Sequence, residues 1–530
     1  MIMIKYKYAL VSLLFTLVAF SSCSNAWEEH YSAVNTAKSD LNLYEYIKSQ
    51  SDLSTFAQML EITGYDSILN KPQTYTVWAP VNSSLSGTNL ADTVTLKEKV
   101  KNHITRFSQP TSGISTKTIY VLGKKFLTFK KSDTGFSFGG KELISGKSDI
   151  ATSNGILHCI DGYVPYISNI WEYIGKTPGL DSLRAYLYSQ TTYEFDVEAS
   201  VEIGTNEFGQ AIYDSVITFK NPVLDKIGHL QVEDSTFTAI LPNNAAWTKA
   251  YNQIKNGYKT LVKDGGAAQQ RLNTQWALVK NLIFRKQINE PTAYDSLYSS
   301  TGSKFMNPAY LFDNAVKAEL SNGLAYVTDS LRFKAAESWQ QSIKIEAENS
   351  DYGRSYVYAN LLGRSGLGSI YSNVISGNKY LIVEPTTVSN STQNAVTFPI
   401  PNTLSGKYNI YCVFVPGNAI NADDTKPYKV SYYFSYLDKN GVQVTDAAID
   451  SKNLVTLPNR IGNVFTTKAT EITKMFVTQF DFPFCNLIKD KSEAANITIK
   501  LKVKSEAKIT ETALYSRTFR VDYIVLEPAE

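Results

Sequence analysis

Histidine and cysteine are scarce in this chain, with only 4 of each. The histidines, His30, His103, His158 and His229, never fall at the His-x-x-x-His spacing of a helix-borne zinc site. Nor do Cys23, Cys159, Cys412 and Cys485 stand at metal-ligand spacing. No glycine-rich phosphate loop appears, which removes the commonest nucleotide-binding signature. The formal net charge of +3 is too small to argue for nucleic acid or an anionic membrane surface as a partner. Paired carboxylates such as Asp423-Asp424 are sequence neighbours, and neighbours on a strand face opposite ways. Gly135-Phe136-Ser137-Phe138-Gly139 matches the nucleophile elbow literally. That chemistry needs a strand-to-helix turn, whereas these residues lie between strand-like segments and read as a hairpin tip.

What is abundant is aromatic: 34 Tyr and 25 Phe, which together with Thr and Val predict a strand-rich chain. At 530 residues the length suggests about three domains. Tyr75-Thr76-Val77-Trp78-Ala79-Pro80-Val81-Asn82 reads as a buried strand that stops at proline and reverses. A weaker copy stands at Phe237-Thr238-Ala239-Ile240-Leu241-Pro242-Asn243-Asn244. Each is followed, at a similar separation, by Ser-Asn-Gly: Ser153-Asn154-Gly155 and Ser321-Asn322-Gly323. The chain therefore holds an internal duplication of a domain-sized unit.

These elements resemble the two signature motifs of fasciclin-like domains, a strand ending in Ala-Pro-x-Asn and a later Asn-Gly-x-x-His-x-x-Asp. The first copy carries both, with His158 and Asp161 in place and His103 between them. The second departs from the pattern, with Leu241 for the alanine and Tyr326 for the histidine. The resemblance implies two α+β fasciclin-like domains in tandem, at 38–167 and 168–334, used for binding and adhesion. His103 and His158 are then structural, hydrogen-bonded within the first copy. Helices are expected over the Leu43 to Leu60 stretch and around Val100 to Phe107. The second copy is expected to carry an acidic insertion at 194–207 and a helical one at 270–284.

Ahead of the duplication, Lys5 and Lys7 precede an apolar run from Ala9 to Phe20, then Ser21-Ser22-Cys23. The run is too short for a transmembrane helix and reads as a secretory signal over 1–22. Small residues before Cys23 resemble a bacterial lipoprotein processing site, which makes Cys23 the lipidated residue and 23–37 a tether. The alternative is an ordinary signal with an incidental cysteine. Trp27-Glu28-Glu29-His30-Tyr31 resembles the export signal of Bacteroidetes surface lipoproteins, which implies lipid anchoring in the outer membrane with exposure at the cell surface.

After Phe333 the pattern changes. Residues 334–341 read as a linker, and 342–530 as short strands separated by turns, with Asn440-Gly441 closing a tight hairpin. An all-β jelly-roll sandwich is expected. Its ends, Ile343-Lys344-Ile345-Glu346-Ala347-Glu348 and Arg520-Val521-Asp522-Tyr523, resemble the edges of galactose-binding-like jelly rolls, many of them carbohydrate-binding modules. The resemblance implies Glu346, Glu348 and Asp522 as candidate ligands of a structural calcium; otherwise they are solvated strand-edge carboxylates. Trp339, Tyr352, Tyr356 and Tyr371 are candidate sugar-stacking platforms, or else core. Cys412 and Cys485 are either a disulfide or two buried thiols.

The composite expectation is a non-enzymatic surface lipoprotein that binds a glycan or peptide. By resemblance, it accompanies a starch-utilisation-type nutrient importer: a TonB-dependent transporter with its surface lipoprotein lid. A cell-surface adhesin acting through the fasciclin-like domains is the alternative.

Overall fold

The computed structural model describes residues 39–205, 211–386 and 392–529. The expected signal peptide, lipidated Cys23 and tether lie outside the described residues. The chain divides into two compact units, the first running to Asn169 and taking in Gln231–Asp234 and Leu320–Asn322.

In the first unit the helices α1 (Leu43–Ser49), α2 (Ser54–Thr63), α3 (Tyr65–Leu69) and α4 (Thr93–Lys101) accompany two four-stranded sheets. The strand β1 (Tyr75–Pro80) is buried at all six positions, as its apolar and β-branched run requires. It pairs antiparallel with β2 (Ile104–Arg106) and parallel with the later strand Gly155–Ile160. Between these come β3 (Thr116–Tyr120), β4 (Phe126–Ser132), β5 (Gly135–Phe138), β6 (Lys141–Glu142) and β7 (Ile150–Thr152), so Gly155–Ile160 is β8. Leu43, Ile47, Phe56, Leu60, Val77 and Leu157 form the core on one side of this sheet. Trp78, Phe129, Phe138 and Ile160 form another, with Trp78 stacked on Phe138 at 3.8 Å.

The physical reason for the Asn-Gly pair is now visible. Asn154 accepts from Leu43 N at 2.8 Å and donates to the carbonyls of Leu69 (2.6 Å) and Lys71 (2.9 Å). A Cβ on Gly155 would lie 2.0 Å from Tyr75 O, so only glycine lets β8 close on β1. Asn82, past the proline, accepts from Thr55 N and donates to Ser51 O, both at 2.9 Å, tying the strand end to the start of α2.

The second unit opens with α5 (Ile170–Lys176) and α6 (Asp181–Ser189), then a ribbon of β9 (Thr192–Thr205) and β10 (Ala211–Lys220). α7 (Pro222–Ile227), β11 (Phe237–Pro242), α8 (Asn244–Ile254) and α9 (Gly266–Val279) follow. The strands β12 (Ile283–Phe284), β13 (Ser296–Tyr298), β14 (Lys304–Met306), β15 (Val316–Leu320) and β16 (Gly323–Thr328) complete the repeat. Its sheet, β12-β11-β16-β15, has the first repeat's β2-β1-β8-β7 order, again with β11 and β16 parallel. Gly323 faces Phe237 O as Gly155 faces Tyr75 O, with a built Cβ at 1.9 Å.

The rest of this unit is a β-sandwich. One sheet runs β19-β20-β29-β22-β27 with β17 on β29; the other runs β18-β21-β28-β23-β24-β25 with β26 on β23. These are β17 (Ile343–Glu346), β18 (Ser355–Val357), β19 (Ala359–Ser365), β20 (Lys379–Pro385), β21 (Ala395–Pro399), β22 (Gly406–Phe414) and β23 (Lys429–Leu437). β24 (Gln443–Ile449), β25 (Val455–Pro458), β26 (Phe465–Thr466), β27 (Thr473–Phe482), β28 (Lys500–Ser505) and β29 (Phe519–Pro528) follow. Leu501 and Val503 point into the core while Lys500 and Lys502 alternate outward, the half-buried pattern of an antiparallel strand.

Three expectations change, and one open alternative is resolved. Val100 to Phe107 is not one helix: α4 ends at Lys101 and β2 begins at Ile104. The Gly135 motif is not a hairpin tip but the strand β5, with Ser137 buried and turns at either end. The linker at 334–341 is packed: Ser338 is buried, and Trp339 lies 3.1 Å from where a Cβ on Gly257 would stand. Ser405 seals the same seam, its N–H donating to Gly257 O at 2.9 Å and its hydroxyl to Asn256 O at 2.6 Å. Of the two alternatives open for Cys412 and Cys485, the structure has free thiols. Cys412 is buried on β22, whereas Cys485 lies 3.6 Å from Thr260 Oγ1.

Substituting alanine at Gly155 or Gly323 is expected to cost at least about 2–3 kcal/mol, because backbone must move to admit the methyl group. Gly113→Ala, at a left-handed but open position, should cost about 1 kcal/mol or less. Thermal melts of the three variants check this, and equal losses would refute it.

Candidate functional site

The groups best suited to chemistry are spent on structure. His103 is buried; its Nδ1 donates to Lys99 O at 2.9 Å and its Nε2 accepts from Val164 N at 3.2 Å. Burial pushes its pKa down to about 4. His158 donates from Nε2 to Gln109 O at 2.9 Å and accepts at Nδ1 from Asp149 N at 3.2 Å, and burial lowers its pKa as well. Both tautomers follow from these partners.

The second repeat shows what the histidines are for. Thr76 and Thr238 make the same pair of bonds: Thr76 with Phe107 O and Gln109 N, Thr238 with Lys286 O and Ile288 N. That sets Ile288 in the place of Gln109. Tyr326 then donates to Ile288 O at 2.7 Å, the bond His158 makes to Gln109 O. Leu282 takes the place of His103, its carbonyl accepting from Ile240 N as that of His103 accepts from Trp78 N, both at 2.9 Å. A bond that tyrosine makes equally well is a packing bond. The thiols are equally inert, since burial raises all three pKa values, that of Cys159 to about 11.

The sandwich carries a denser polar cluster where its first and last strands meet. The register of β29 against β22 slips at Asp522, a bulge that leaves this residue wholly buried. Both carboxylate oxygens of Asp522 accept from Ser376 N, at 3.1 and 3.2 Å. Ser376 Oγ donates to Glu346 Oε1 at 2.6 Å, and Lys344 Nζ lies 3.0 Å from the same oxygen. Glu346 Oε2, Glu348 Oε2 and Asn378 Oδ1 are buried without a hydrogen-bond partner. Burial, with the negative charge of Glu346 nearby, pushes Asp522 up to about 7; burial raises Glu348 too.

The three acidic residues expected around calcium therefore share one neighbourhood, and their oxygens are hard donors of the kind calcium takes. No group of three His, Cys, Asp or Glu among the described residues is arranged as a ready ligand set. The fit lies in the donor chemistry and the two orphaned glutamate oxygens.

The four candidate aromatics do not form one platform. Tyr356 is 58% exposed on β18, beside the equally open Tyr358, which sits at φ 51°. Tyr352 is half-buried in the loop before it. The Tyr371 hydroxyl bonds Thr470 O and lies 3.0 Å from Asn418 Oδ1, while its ring packs against Ile375, Tyr380 and Val415. Trp339 lines a pocket with Ala250, Ile254, Ala277, Leu331 and Phe333.

A strip the sequence reading missed lies on the outward face of the β17–β29–β22–β27 sheet. Tyr411 stands opposite Phe476, rings 5.5 Å apart, and Asn409 opposite Gln479, their amides bonded at 3.0 Å. Tyr523 lies nearby on β29. Lys474 sits 4.3 Å over Tyr411 and is held by Glu527 at 2.6 Å; Lys344 sits 4.2 Å over Tyr523. Phe476 alone keeps an uncovered face, at 38% exposure. The available signal was alternation along β22: Asn409 and Tyr411 interleave with the buried Tyr408, Ile410 and Cys412.

Residues 51–164 match the model of the Fasciclin domain. No curated protein matches the chain. Among solved structures it is similar to a FAS1 domain pair from the insect cell adhesion molecule fasciclin I, at 14% identity and a TM-score of 0.21, covering 54% of this chain and 98% of that one. It is also similar to a xylan-binding domain from CBM 22, at 15% identity and TM-score 0.21, covering 36% of this chain and 97% of that one. A family 35 carbohydrate binding module from Clostridium thermocellum gives 13% identity and TM-score 0.19, covering 36% and 99%.

Because the fold raises the pKa of Asp522, the folded chain holds that proton more tightly than the unfolded one. Stability from this group is full below about pH 4 and is lost as pH rises towards about 7. In chelator, Asp522→Asn should therefore raise the melting temperature more at pH 8 than at pH 4.5; a constant offset across that range would refute the burial argument.

Proposed function

We propose that this chain is a non-enzymatic recognition protein of the bacterial cell surface, tethered to the outer membrane through lipid on Cys23. Its sandwich binds a glycan, and the fasciclin-like repeats carry and present it. We further propose that it serves as an accessory subunit beside a TonB-dependent transporter and its lipoprotein lid. The observation that supports this reading most is the outward aromatic and amide strip of Asn409, Tyr411, Phe476 and Gln479 on a sheet face. An exposed ring next to paired amides suits a sugar, which offers an apolar face and a rim of hydroxyls. Tyr356 adds a second exposed ring at the sandwich edge. When bound, calcium would supply positive charge to the orphaned oxygens of Glu346 and Glu348 and fix the ends of the sandwich beside Asp522.

The adhesin reading has one observation in its favour. In the first unit Tyr120 and Phe126 are about half exposed with ring centroids 5.0 Å apart, and Phe107 is open to solvent at φ 69°. These offer protein-docking anchors.

Glycan-array binding by the full mature chain tests the first reading, since the packed seam argues against cutting the sandwich free. Phe476→Ala is expected to lower affinity for the bound glycan about tenfold, roughly the weight of one buried aromatic contact, with the melting temperature unchanged. Binding that is lost with Tyr120→Ala/Phe126→Ala instead, or a chain that turns its glycan over, would overturn it. Co-isolation from detergent-solubilised outer membrane tests the importer partnership.

A further inference from the structure

The ribbon of β9 and β10 interrupts the second repeat without joining its sheet. It forms a two-stranded sheet by itself, so among the described residues neither strand has a second strand neighbour. Such ribbons are marginal in water, and their open edges invite another strand. Its base is anchored: Phe219 meets Trp171 edge-on at 5.8 Å, and Trp171 stacks on Tyr188 at 4.1 Å.

Above the base the register places Tyr193 opposite Phe219 and Phe195 opposite Ile217, making one apolar face. Tyr193 is 71% exposed and Ile217 56%. The other face is polar, with Glu194 opposite Thr218 and Thr192 opposite Lys220. In sequence, the segment from 192 to 220 is one-sided in charge, with six acidic residues against Lys220 alone. Glu194 pairs with that lysine, so the segment's sequence keeps an acidic excess on a chain whose net charge is +3.

We propose that this ribbon is a docking edge for another protein, taking an extended segment in which basic and apolar residues alternate. Backbone pairing supplies the geometry, Tyr193 and Ile217 meet the apolar side chains, and the carboxylates meet the lysines or arginines. Self-pairing of two ribbons is disfavoured, because it sets like charges opposite each other.

The probe is a short synthetic peptide alternating lysine and valine, titrated into the full mature chain by fluorescence anisotropy. Controls are the same peptide with alternate backbone amides methylated, a scrambled peptide of equal composition, and an alternating glutamate–valine peptide. Saturable binding by the lysine–valine peptide is expected, weakening with salt and at least about tenfold tighter than any control. Glu194→Lys/Asp196→Lys should invert the preference towards the glutamate peptide, and Ile217→Lys should weaken both. Equal binding of the scrambled or methylated peptide would overturn the proposal, as would indifference to the charge reversal. A concentration-dependent dimer abolished by Ile217→Lys would overturn it in favour of a second copy.

Discussion

Each repeat is held together by one close approach: a parallel strand pair in which a glycine of the later strand lies against the carbonyl of the first residue of the earlier one. Gly155 on Tyr75 and Gly323 on Phe237 leave no room for a side chain. The asparagine before the first glycine then stitches that contact to α1 and the end of α3. Strands so far apart in sequence must meet in one register, because a slip by one residue would move Val77 and Trp78 out of the two cores each belongs to and take the glycine off its carbonyl. The rest of the repeat is arranged to keep that register. The proline ends β1, Asn82 ties it to α2, and Thr76 or Thr238 fastens the loop after the next strand.

This explains what could and could not be read from the residues alone. The strand–Pro–Asn and Asn-Gly elements were legible because they are local solutions to a backbone problem, and the same solution is written twice. The α+β repeats followed by a β-sandwich were legible for the same reason, through burial runs and alternation. The helix expected from Val100 to Phe107 failed because apolar spacing there is shared between the end of α4 and a strand that only tertiary pairing reveals. The linker at 334–341 failed because nothing local announces that Trp339 will be packed against Gly257. Of the aromatic candidates Tyr356 is exposed, while the surroundings of the others depend on tertiary packing that local sequence does not announce. Tyr371 looked available and is pinned through its hydroxyl, whereas Tyr411 and Phe476 face outward on β22 and β27.

Several buried polar groups in both units are bonded to backbone or placed against opposite charge. His103, His158 and Tyr326 serve backbone carbonyls, and Lys125 meets Glu233 at 2.6 Å with Asn169 and Ser321 sharing the glutamate. The bulge in β29 gathers a buried aspartate and two orphaned glutamate oxygens in one neighbourhood. The buried Asp522, pushed up to about 7, makes this place responsive to protons.

The seam closed by Ser405 and Trp339 bears on mechanics. A pull on the sandwich finds no slack tether there, because main-chain hydrogen bonds carry the load straight into the neighbouring repeat. The load arrives at Asn256 and Gly257, directly after α8, whose Ala246, Trp247, Ala250 and Ile254 are buried, so it is passed to a packed helix.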